Sequence, residues 1–142
     1  MTRSQCIPTW PACNGSGAKP RPNVCSAKPN DYTPRENNLF RSGAETHVYT
    51  ELVGFGWRKS GDLWRTDLIV DVSVKTAAGV QIFQQNEFQK LQLSSRVHNR
   101  EFMAHIMYTL SGLPPGKYLI DTTLRDAVSG KNGAFSLAFL IQ

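Results

Sequence analysis

Trp64-Arg65-Thr66-Asp67-Leu68-Ile69-Val70-Asp71-Val72-Ser73-Val74-Lys75 is the stretch that decides the fold. Trp64, Thr66, Leu68, Val70, Val72 and Val74 recur at every second position. Arg65, Asp67, Asp71, Ser73 and Lys75 fill the places between, with Ile69 as the exception. Strand side chains point alternately to two faces, so this pattern predicts a strand buried on one face and wet on the other. Working outward, Ala78-Gly79 predicts a turn, and Val80, Ile82 and Phe83 begin the next strand. Residues 84–95 are rich in Gln and Ser, with Phe88, Leu91 and Leu93 as anchors, and predict a short strand or irregular crossing. Upstream, Val48, Thr50 and Leu52 alternate with Tyr49, Glu51 and Val53. Downstream, Phe102, Ala104, Ile106, Tyr108 and Leu110 alternate with Met103, His105, Met107 and Thr109.

The end of the chain continues the pattern. Leu113-Pro114-Pro115-Gly116 is a turn signal. Tyr118, Ile120, Thr122 and Leu124 follow at period two. Ser129-Gly130-Lys131-Asn132-Gly133 closes a hairpin, and Phe135, Leu137, Phe139 and Ile141 form a last strand. No segment repeats at 3.6 residues over a dozen positions. About seven strands, each with one apolar face, need two sheets to bury those faces. The predicted fold is an all-β, two-sheet sandwich.

Composition divides the 142 residues into two unlike parts. Six of eight prolines and all three cysteines fall in residues 1–34. That segment reads as a flexible, disordered lead, and residues 35–142 as one domain. Net charge is +5, but Arg3, Lys19, Arg21 and Lys28 against Asp31 place most of it in the lead. The domain is close to neutral, which argues against a nucleic-acid partner. Cys6, Cys13 and Cys25 lack the two-residue spacing of a zinc knuckle. They are read as linker thiols, with a Cys6–Cys13 or Cys13–Cys25 bridge open in an oxidising compartment. No run of about eighteen apolar residues predicts a membrane span. The start carries no apolar signal-peptide core. The chain is therefore expected to be cytoplasmic, or a piece of a longer exported protein. A proline-rich start favours the second, and with it a place in the cell envelope or outside the cell.

Leu113-Pro114-Pro115-Gly116-Lys117-Tyr118 resembles the approach to the penultimate strand of immunoglobulin-like and fibronectin type III-like domains. There a tyrosine at the strand start bonds back to upstream backbone. Pro115, Gly116 and Tyr118 match that corner. The hairpin from Tyr118 to Ile141 resembles the last strands of bacterial immunoglobulin-like modules, which often end larger envelope or secreted proteins. It also looks like the final strands of a bacterial intracellular proteinase-inhibitor family. Together with His47 to Leu52 and Thr66 to Gly79, the resemblance covers about residues 38–142. It implies an immunoglobulin-like sandwich without the antibody-type inter-sheet cysteines. Fold does not carry function across such superfolds.

Few constellations carry chemistry. No nucleophile-elbow or phosphate-loop motif occurs, so no enzyme and no cofactor are expected. Asp67 and Asp71 lie about 13–14 Å apart along one strand face, too far for shared acid–base work. With Asp121 they are expected to be solvated carboxylates. Asp126 is expected to set the final turn by bonding local N–H groups. Met103, His105 and Met107 share one strand face and offer the soft ligands Cu(I) prefers. Packing against a neighbouring loop is the competing role. Trp57, Arg58 and Lys59 face Trp64 and Arg65 across the Ser60-Gly61-Asp62 turn. The two indoles are expected to meet there, as hairpin packing or as a stacking site for a sugar or an anionic polymer. His47 and His98 have no companions in sequence. The expected function is a non-catalytic interaction or structural module that contacts a protein partner or parent-protein domains. The alternatives are a proteinase inhibitor or a periplasmic copper-binding sandwich. The sequence does not set the oligomeric state.

Overall fold

The computed structural model describes residues 3–7, 38–99 and 101–142, with backbone alone at 3–7, 49, 101 and 102. Nine strands occur among them: β1 (Arg3–Ile7), β2 (Leu39–Phe40), β3 (Ala44–Val53), β4 (Arg58–Ser60), β5 (Leu63–Thr76), β6 (Gln81–Ser95), β7 (Glu101–Leu110), β8 (Gly116–Asp126) and β9 (Asn132–Ile141). The described residues contain no helix.

The strands form two sheets. The smaller runs β1-β3-β7 and is antiparallel throughout. The larger runs β2-β9-β8-β5, and β6 pairs the opposite edge of β5. Short β4 folds back on the start of β5, at Leu63 to Arg65, beyond the stretch that β8 covers. β2 and β9 make the one parallel pair among the described strands, with Phe40 beside Ile141.

Period two places the core. Thr66, Leu68, Val70, Val72 and Val74 of β5 are all buried, and each intervening residue is half-exposed. β8 repeats this from Tyr118 to Asp126. Val48, Thr50 and Leu52 of β3 and Ala104, Ile106, Tyr108 and Leu110 of β7 supply the facing layer. A fully enclosed aliphatic side chain such as Ile106 contributes about 1.5–3 kcal/mol over an exposed one. One polar tie crosses the interior: Tyr108 Oη and Thr122 Oγ1 lie 2.7 Å apart. Beside it, Phe88 stacks on Tyr108 at 5.7 Å between ring centroids.

Four elements differ from their sequence reading. Residues 84–95 belong to a fifteen-residue strand rather than a short one. Its register to β5 shifts between Val70 and Val72, where Asn86, Glu87 and Phe88 oppose Asp71 alone. Glu87 takes a φ of 53°, and its N–H donates to Asp71 Oδ1 at 2.7 Å. Glutamine-rich composition hid a strand that a bulge interrupts. Arg3–Ile7, read as part of the lead, pairs with the edge of β3 that β7 leaves open. An unpaired edge accepts any extended segment within reach. Cys13, Cys25 and the rest of the lead lie outside the described residues. Two-residue β2 and three-residue β4 are too short for periodicity to register.

Candidate functional site

The β8–β9 end of the molecule is organised by Asp126. Its carboxylate accepts N–H bonds from Val128 at 2.9 Å and Ser129 at 3.2 Å, and the Ser129 hydroxyl. It also accepts the N–H of Gly56 at 2.6 Å, from the loop between β3 and β4. The predicted turn-setting residue therefore joins two loops far apart in sequence. Gly56 has to be glycine, because a Cβ there would sit 2.9 Å from the Cβ of Ser129. Burial opposes ionisation of Asp126, but the bonds from Ser129, Gly56 and Val128 win and hold its carboxyl below the ordinary range. At the other end of β8, Tyr118 Oη donates to the Pro114 carbonyl at 2.7 Å. Tyr118 stacks on Phe139 at 5.5 Å. Pro115 lies in the exposed turn between them, and Gly116 opens β8.

Asp71 and Asp121, expected as solvated carboxylates, are both paired. Arg125 grips Asp71 through Nε at 2.5 Å and Nη2 at 3.0 Å. Lys75 approaches Asp121 at 2.7 Å, and the Ser136 hydroxyl donates to it at 2.5 Å. Cross-strand register made these pairs, since Asp71 lies opposite Thr123 and Ser73 opposite Asp121. Asp67 accepts from Gln92 Nε2 at 3.2 Å.

The two tryptophans are brought together, though not as a direct ring pair. Lys59, not Trp57, stands opposite Trp64. His98, from the segment after β6, fills the space between them. It stacks on Trp57 at 5.9 Å and meets Trp64 edge-on at 3.9 Å. His98 therefore has companions that sequence reading denied it. Phe55 packs on Trp57 at 5.4 Å, and Trp57 Nε1 donates to the Asn99 carbonyl at 3.0 Å. Of these rings Phe55 packs against the core, Trp57 and Trp64 are half-buried, and His98 is exposed. Arg58, Lys59 and Arg65 are exposed around them, and Lys59 Nζ sits 5.9 Å from the Trp64 ring.

Met103, His105 and Met107 lie on the outer face of the smaller sheet, with Ala104 and Ile106 buried between. Register adds His47, directly opposite Met107. His105 is held below the ordinary imidazole range, first by burial and second by the charge of His47.

Two surfaces remain. A shallow apolar groove of about 610 Å³ on the larger sheet is lined by Leu39, Leu119, Ala138 and Leu140, among others. The outer edge of β6 is unpaired among the described residues, and its start carries exposed Val80 (60%), Ile82 (44%) and Phe83 (45%). Residues 80–86 hold no charge. No described helix is long and apolar enough to cross a membrane.

No family model matches the chain, and no curated protein is similar to it.

Proposed function

We propose that the protein is a non-catalytic interaction module that binds an extended protein segment along the free edge of β6. The supporting observation is the edge itself. Val80, Ile82 and Phe83 are exposed at the start of a strand that pairs on one side only. Natural edge strands usually carry charge, proline or a bulge against unwanted pairing. Here one bulge interrupts the middle of β6 and a smaller register shift falls at Ile82, but residues 80–86 carry neither charge nor proline. A strand added there gains main-chain hydrogen bonds, while alternate side chains set its specificity.

The fold class supports the same reading. A three-stranded sheet over a larger one, with the tyrosine bond at Tyr118, is compatible with immunoglobulin-like and fibronectin type III-like modules. We take the chain as a bacterial module of that kind, serving an envelope or secreted protein.

Affinity capture with edge variants tests the proposal. Ile82→Lys and Phe83→Lys should each abolish capture of the partner protein. Leu140→Lys, on the opposite side of the larger sheet, should leave it intact. Amides of residues 81–86 should exchange more slowly with the partner bound. Capture indifferent to both edge variants, or no slowing of those amides, overturns the proposal.

A further inference from the structure

The outer face of the β1-β3-β7 sheet gathers soft ligands from two strands. On β7, His105 lies between Met103 and Met107, each two residues away and on the same face. On β3, His47 is the register partner of Met107, and Tyr49 that of His105. Directly opposed residues on an antiparallel pair hold their Cβ atoms about 4.5–5.5 Å apart, and diagonal neighbours lie within reach of long side chains. His47 and Met107 are thus adjacent, with His105 diagonal to His47.

We infer that this face holds a Cu(I) site built from His47, His105 and Met107, with Met103 at the next outward position on β7. The ligand chemistry selects the ion. Thioether and imidazole are soft donors that suit Cu(I), while Zn(II) takes thiolate, imidazole and carboxylate. Among the described residues no three His, Cys, Asp or Glu side chains gather, so a zinc-type set is not formed. Met107 is 50% exposed, and the His47 side chain keeps 21% of its surface accessible. An exposed thioether, unlike one filling a core gap, leaves its sulfur accessible to an ion. Binding takes up Cu(I) as supplied and involves no electron transfer.

The cysteines of the lead are competing Cu(I) ligands, so the test uses the full chain with its thiols alkylated. Cu(I), kept reduced by ascorbate, is titrated in competition with a chromogenic Cu(I) chelator. Methionine methyl resonances are followed in parallel. The expected result is one bound equivalent, with the Met107 methyl shifting and that of Met1 unmoved. His47→Ala, His105→Gln and Met107→Leu should each weaken binding about tenfold or more, and Zn(II) should not compete. Met107 is exposed, so Met107→Leu reports on the site even if His105→Gln disturbs folding. No copper held after alkylation, or an affinity unchanged by Met107→Leu and His47→Ala, overturns the inference.

Discussion

At the scale of single residues, Asp126 carries more of the fold than its type suggests. Asp126→Ala leaves the N–H groups of Gly56 and Val128 without their acceptor, and about 2–3 kcal/mol of stability should be lost in denaturant unfolding. Tyr118→Phe removes one bond to the Pro114 carbonyl and keeps the ring stack on Phe139. Its cost should be about 1 kcal/mol, and an unchanged midpoint would argue against that bond. Thr66 acts in the opposite direction. Its hydroxyl is buried without a hydrogen-bond partner, and Thr46 shares this condition. Thr66→Val keeps the shape and removes the desolvated hydroxyl, so stability should rise by about 1 kcal/mol. The roles of Tyr118 and Asp126 were legible in sequence because both are local: one reaches four residues back, the other two or three residues on. The bond from Gly56 to Asp126 spans seventy residues and had no local signal.

At the scale of elements, β6 is the informative case. Its bulge is held by Asp71, which accepts the Glu87 N–H while Arg125 holds the same carboxylate from β8. Asp71→Ala should release the bulge, and amide exchange at Glu87 and its neighbours should quicken before that of the β5–β8 ladder. Uniform protection along β6 in that variant would assign the bulge to backbone geometry alone. β5 was readable because it is half-buried over its whole length. The first seven residues of β6, 81–87, are all exposed, and after Ile82 and Phe83, which announce its start, no apolar period marks them. His98 shows the same limit. Nothing nearby in sequence announces that the segment after β6 returns to insert a ring between Trp57 and Trp64.

For the whole molecule, ionisation sets the response to acid. Arg125 first, then the Glu87 N–H, hold Asp71 below the ordinary carboxylate range. Lys75 and Ser136 do the same for Asp121. Such groups contribute stability above the unfolded value of 3.8, and lose it as pH falls through the lower folded values. The melting temperature should therefore drop steeply below about pH 4. His105 adds an earlier, shallower decline. Its folded state favours the neutral ring, so stability falls as pH drops below the unfolded value of 6.5. Glu45 and Glu51 on β3 and His47 line the same face. The shallow phase should vanish in His105→Gln and the steep one persist, read by thermal melts between pH 7 and 3.

By itself the sequence determined the half-buried strands β3, β5, β7, β8 and β9 and the two-sheet class. Alternation is a property of neighbours, and one apolar face per strand requires a second layer to cover it. Tertiary structure decided which outward residues meet. Strand order and register set Asp71 against Arg125, His47 against Met107, and the β6 edge against solvent. Those juxtapositions join residues 54 to 60 positions apart, or depend on a strand being left unpaired, and no local pattern encodes either.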